Sequence, residues 1–424
     1  MAAAKEAQNT LIGVVLVKFG LGAIGIWGVA NTYFFSYFLK YNPELKLSEF
    51  NFLVTVAAIP MIIITLFSLQ VCEKYGFEKI IKITMIINPI CVLIGSYQKN
   101  FYIFAAFNTL ISSISFGITA MPMLYCLWSH FPSKTGNTTG IALASFGLAT
   151  FFYSLIVTFI VNPQNLPANI EYEEGTQVKY YFNDIFAKQN VQNIQKINEQ
   201  QMTKSKSDSH LFKPTNQLKN QNYQDDVNIE ILNLKEAIKT QPFILIYVST
   251  FFLSCFSLFI SLNYKTYGLT KINDDHFLTY LISITTIVSS LSNILWGYLV
   301  DRYQFRSVYI FLICIILISG FIFPIISSNI FGFSIIYQIL GSTERGLYTI
   351  IGPGLVQIYG IKLGSELFPI KSTSFFLALV LVPVIQVFLL KRYTYDQIIH
   401  IFNFGIAISL ILSFKLKNKY NYYN

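Results

Sequence analysis

Glu344 and Arg345 stand side by side in the middle of an apolar run that extends from Ile330 to Ile358. Ionisable groups at that depth in a greasy segment are costly and are functional candidates by default. Neighbouring residues on a helix point about 100° apart, so the two cannot form one compact bidentate pair. One can face a cavity while the other meets a neighbouring helix; the alternative is a purely structural ion network. Lys18 is the third such group, about two turns into the first apolar run, where its long stem could also snorkel to the interface.

Other polar candidates around a cavity are Asn31 and Tyr33 in the first run, Tyr264 and Lys265 after the run that starts at 242, and Gln386 near 372–390. Residues of these types more often make interhelical hydrogen bonds than ligand contacts. His is scarce and scattered, and Cys72, Cys91, Cys126, Cys255 and Cys314 show no paired spacing, so no metal site or disulfide framework is read. There is no HExxH-type cluster, GxSxG elbow or phosphate-cradling loop, so the chain reads as neither an enzyme nor a cofactor binder.

The elements that must carry these groups are membrane helices. Over 424 residues, 54% are hydrophobic, the mean hydropathy is +0.52 and only 12% are charged, against about 25% in a soluble domain. The net charge of +9 suits loop topology and anionic headgroups better than nucleic acid. A spanning helix needs about 20 apolar residues. Such runs lie near 11–38, 48–70, 80–97, 101–128 and 137–161, then near 242–263, 277–299, 307–326, 330–358, 372–390 and 397–415. The first run is too long for a signal-peptide core and is expected to stay as a spanning helix. The organisation predicted is an N-terminal bundle over 1–163, a polar segment over 164–240 and a C-terminal bundle over 241–424. The middle segment is rich in Asn, Gln, Lys and Ser and is expected to be largely disordered.

The two halves share a loop. Glu73-Lys74-Tyr75-Gly76-Phe77 matches Asp301-Arg302-Tyr303-Gln304-Phe305: an acid, a base, an aromatic and a turn after corresponding helices. Pro122 has a further counterpart in Pro353. The carboxylate can sit at the N-terminus of a facing helix while the base bridges to it, latching one conformation and releasing in another. The alternative is an ordinary solvated turn.

These loops resemble the signature of the major facilitator superfamily, Gly-x-Leu-x-Asp-Arg-x-Gly-Arg-Arg. The second copy keeps Gly297, Leu299, Asp301, Arg302 and Arg306, with Gln304 at the second Gly; the first keeps Gly76 and has Glu73 for the Asp. WGVANTYFFSY (27–37), FPSKTGNTTGIALASFG (131–147), VNPQN (161–165), YKTYG with INDDHFLT (264–279) and GPGLVQIYGIKLG (352–364) resemble the oxalate/formate antiporter and monocarboxylate transporter branch, in the style of its protist members. The resemblance covers about 11–185 and 230–416.

It implies an all-α polytopic membrane protein of twelve helices in two bundles, rocking about a central site. It implies transport of small organic anions, such as mono- or dicarboxylates, with protons or a counter-anion, and no cofactor. That branch carries a carboxylate-binding Arg four residues before the signature Gly. Here the position is Asn293, which supplies no positive charge. Arg345 is then expected to be the cation for an anionic solute, and Asp301 and Arg302 to act in conformational switching. A relative that kept the fold and lost transport is the competing reading. Only eleven helices are visible, so the sixth is expected to be missing or degraded, through a skipped coding segment or a gap filled by a partner. Charge bias in short loops, with Lys371 counted as a loop residue, favours the orientation of the twelve-helix fold.

Overall fold

The computed structural model describes residues 2–26, 47–161, 233–272 and 274–417, with a few positions between 34 and 45. The expected sixth helix and the polar segment as far as residue 232 lie outside the described residues; the end of that segment, 233–240, is described and carries a capped helical turn over Leu234–Ala237. Within them the chain is helical. The first half contributes α1 (Ala2–Leu21, continued by a 3-10 turn over Gly22–Ile26), α2 (Leu47–Tyr75), α3 (Phe77–Ser96), α4 (Ile111–His130) and α5 (Thr135–Val161). The second contributes α6 (Gln241–Lys271), α7 (Asp275–Arg302), α8 (Phe305–Ile326), α9 (Ile330–Tyr359), α10 (Ile361–Leu389) and α11 (Tyr395–Phe414). Nine helices among the described residues are long and apolar enough to cross a membrane. The protein is an integral, multi-pass membrane protein.

Three boundaries differ most from the hydropathy reading. α6 runs on to Lys271 instead of ending near 263, so Tyr264 and Lys265 lie inside the helix and not after it. The first helix begins at Ala2 rather than near residue 11, because the polar start MAAAKEAQNT continues the helix. α10 begins at Ile361, not near 372, so Lys371 lies a third of the way along a helix instead of in a loop, and it is buried. Hydropathy missed this because IKLGSELFPIK interleaves charges and Pro369 with apolar residues, and only packing shows that the helix runs through them.

Local chemistry fixes the starts. Asn100, Asp274 and Asn329 each accept backbone N–H bonds as N-caps, and Thr394 with Gln397 forms a capping box ahead of α11. Pro60, Pro89, Pro122, Pro324, Pro353, Pro369 and Pro383 lie inside helices, as is tolerated in membranes where neighbouring helices satisfy the freed carbonyls. A π segment over Ala105–Leu110 leads into α4.

α2 packs on α4 and α1 on α5; in the second half α6 packs on α10 and α11, α8 on α9 and α11, and α7 on α9. The halves meet chiefly through α5 against α7, and through α10 against α2 and α4. The α5–α7 crossing is close because small residues face each other. A Cβ on Gly136 would strike the Gly297 carbonyl, and one on Gly297 would strike Gly136. Two further glycines, Gly140 and Gly147, lie against Asn293 and Ser290 in the same way. Small residues are how membrane helices approach within van der Waals range of each other's backbones.

Candidate functional site

A cavity of about 280 Å³ opens between α6, α7 and α9, with Ile316 of α8 closing one side. Glu344 and Arg345 both line it, midway along α9. Glu344 Oε2 accepts a hydrogen bond from Ser261 Oγ on α6 at 3.0 Å. Arg345 is exposed and makes no hydrogen bond or salt bridge among the described residues. The expectation that one group faces the cavity and the other a neighbouring helix is thus half met: Glu344 does both. A salt bridge between the two is absent, as their angular separation on the helix requires.

The α7 wall is hydroxylic. Thr285 and Thr286 donate to the carbonyls of Leu281 and Ile282 at 2.8 and 2.9 Å, and across the cavity Thr343 of α9 donates to Ile339 at 3.0 Å. Their protons are committed to their own helices, so the oxygens are left to the cavity as acceptors. Tyr337 supplies an aromatic wall.

The remaining sequence candidates scatter. Tyr264 is buried beside the site, donating to the Leu278 carbonyl at 2.7 Å and stacking on Tyr337 at 4.9 Å. Asn293 is buried in helix packing: its Oδ1 accepts from Thr349 Oγ1 at 2.8 Å and its Nδ2 donates to the Ser290 carbonyl at 3.1 Å. Gln386 exchanges two hydrogen bonds with Asn263, at 2.9 and 2.6 Å. Asn31, Tyr33 and the side chain of Lys265 lie outside the described residues. Lys18 packs inside the protein. It is buried, with Nζ 5.1 Å from the centre of the Phe116 ring, a cation–π contact that partly replaces its lost hydration.

Sequence reasoning missed Lys371, which is buried on the face of α10 that also carries Leu367, Ser374 and Ala378, with no hydrogen bond or salt bridge among the described residues. Its spacing of four from Leu367 and three from Ser374 was the available signal.

The second signature loop sits far from this cavity, where the halves close on each other. Asp301 Oδ1 accepts from the Gly136 N–H at 2.6 Å and Oδ2 from the Asn137 N–H at 2.7 Å. The carboxylate therefore caps the N-terminus of α5 across the interface, where free amides and the helix dipole favour an anion. The base does not bridge to it: Arg302 is exposed and donates to Tyr298 at 2.8 Å, one turn back on its own helix. Arg306 instead reaches the Phe414 carbonyl at the C-terminus of α11, at 3.2 Å.

The first loop is built differently. Glu73 and Lys74 are exposed, and Lys74 lies over the adjacent Tyr75 ring at 5.2 Å. Gly76 alone joins α2 to α3 at φ 94°, a conformation that L side chains rarely adopt. Gln304 has φ −63° and needs no glycine, because the second connection is two residues long. On this side the halves meet through Trp128, whose Nε1 donates to Thr139 at 2.8 Å and whose ring stands edge-on to Phe368 of α10.

We found no protein-family model that matches the sequence and no match among curated proteins. The chain is similar in structure to the major facilitator superfamily proton:xylose symporter XylE bound to 6-bromo-6-deoxy-D-glucose. The TM-score is 0.62 at 13% identity, covering 99% of this chain and 97% of that one. The protein has the major facilitator fold.

Proposed function

We propose that the protein is a secondary active transporter that carries a small organic anion, a mono- or dicarboxylate, across its membrane by alternating access. The observation that carries this reading is Arg345. A guanidinium midway along the 30-residue α9, exposed on a cavity wall and with no hydrogen-bonded acid among the described residues, is free to take an anion. Its planar fork matches a carboxylate through two parallel hydrogen bonds. The neighbour of the same fold is a proton:xylose symporter; its fold supports transport, and the choice of an anion rests on Arg345.

Alternating access is supported by the seal at one end of the cleft. Two hydrogen bonds from α5 to one carboxylate, beside a glycine-on-glycine crossing, form a contact that can break as a unit. Asp301 belongs to this seal and not to the solute site.

The test is uptake of radiolabelled short-chain mono- and dicarboxylates into proteoliposomes, with and without a pH gradient. Wild type should accumulate at least one of them, and Arg345→Gln should abolish that flux while leaving the protein in the membrane. Wild-type flux in Arg345→Gln removes Arg345 from the site. Uptake that a proton gradient drives would identify the proton as the coupled ion, and exchange without it would identify a counter-anion.

A further inference from the structure

The cavity holds two opposite charges that are adjacent in the chain but form no ion pair. Glu344 and Arg345 lie in one space of about 280 Å³, and no contact within 4.0 Å joins their charged groups. Among the described residues Glu344 has one hydrogen bond, from Ser261 to Oε2, and Oε1 has no donor there. A dedicated anion site would gain nothing from a carboxylate one residue away from Arg345, since it would repel the solute.

The hydroxyls point the same way. Thr285, Thr286 and Thr343 spend their protons on backbone carbonyls, so they offer lone pairs, and those lone pairs suit a group with several N–H donors. The cavity therefore has a cationic donor, Arg345, and an acceptor pole made of Glu344 and these oxygens. An ammonium has three donors and no acceptor; a carboxylate has acceptors only. A volume of about 280 Å³ equals roughly nine water-sized groups, which fits a solute of about ten non-hydrogen atoms.

We infer that the solute is zwitterionic, of α-amino-acid type, with its carboxylate on Arg345 and its ammonium on Glu344 and the threonine oxygens. This rests on the transporter reading and on Arg345 as the partner of a carboxylate, and it revises the solute's net charge: the carboxylate is kept, and an added ammonium makes the solute neutral overall. Ser261 is a positioning residue that holds Glu344 against α6 and leaves one carboxylate oxygen for the ammonium.

Matched probes test it on the full-length protein, by thermal stabilisation in detergent and by competition for uptake. Leucine and phenylalanine carry both charges, 4-methylpentanoate and 3-phenylpropanoate only the carboxylate, and 3-methylbutylamine and 2-phenylethylamine only the amine. At least one amino acid should bind roughly tenfold to a hundredfold more tightly than its deaminated acid, the worth of a charge-assisted hydrogen bond. Glu344→Gln should erase that preference while keeping the acid's affinity, and Arg345→Gln should leave amino acid and amine equal. If Glu344→Gln fails to fold, the wild-type ranking still decides. Acids that bind as tightly as their amino acids overturn the zwitterion and leave the anion transporter standing. If D-xylose binds and no carboxylate does, both readings fall.

Discussion

Glu73 and Asp301 occupy matching places, each an acid followed by a base and an aromatic at the end of a long helix. Asp301 is half-buried and takes two backbone N–H bonds from the start of α5. Glu73 is exposed and makes no hydrogen bond across the interface among the described residues. The difference lies in the receiving helix. α5 opens with Gly136, and the absence of a Cβ there lets α7 come close enough for a short Asp side chain to span the interface. At the other crossing the halves are held by Trp128 against Phe368 and Gly352, an apolar contact that needs no acid. A repeated motif thus reports the ancestry of a loop, while its bond depends on what the opposite half presents.

The largest effect should come from removing the close approach itself. Gly297→Val places a branched side chain against the Gly136 carbonyl. Overpacking of about 1–3 kcal/mol falls on the closed arrangement alone. Uptake should drop to near background while solute binding in detergent persists; rapid uptake by this variant would show that the crossing does not need to close.

Asp301→Asn keeps the shape but loses the charge in two hydrogen bonds, of a kind worth about 1.5–3 kcal/mol when one partner is ionised. Turnover should slow roughly tenfold, with the half-saturation concentration little changed. A large loss of affinity at normal turnover would place Asp301 in the solute site and break the comparison.

Gly76→Ala forces a side chain into the positive-φ turn that the first connection uses, at a cost of about 1–3 kcal/mol. Gln304→Ala, in an extended backbone, should cost nothing measurable. Paired thermal melts in detergent check this, and equal melting temperatures would mean that the two turns are interchangeable. The smallest effect is expected for Glu73→Gln, whose turnover should stay within about twofold of wild type because an exposed charge of this kind contributes little. A slowing as large as that of Asp301→Asn would reveal a second latch.

Much of the fold was legible in the sequence. Eleven helices were expected from apolar runs of about 20 residues, because lipid leaves a spanning backbone no partner but itself; nine spans among the described residues are long and apolar enough to cross, and Phe77–Ser96 and Ile330–Tyr359 are not among those nine. Glu344 and Arg345 were found by charge in an apolar context, and their failure to pair follows from helical geometry alone. Asn293 and Gln386 were ambiguous, since a polar side chain in a membrane helix can face a solute or a neighbour; Thr349 and Asn263 resolve both toward packing.

The sequence by itself determined that this is a helical membrane protein with two related halves, a charged pair at mid-depth and a signature loop in each half. Hydropathy and helical period are local properties, and these features need nothing more. Tertiary structure alone decided that only Asp301 caps a helix across the interface, that Arg302 turns back to Tyr298, and that Lys18 and Lys371 are buried. It also brought Ser261 and the threonines of α7 and α9 to the same cavity as Glu344 and Arg345. Such facts depend on which faces of distant helices meet. That is set by the close packing of small residues such as Gly136 and Gly297, which are 161 positions apart in the chain (297 − 136) and carry no charge or hydropathy to announce the contact.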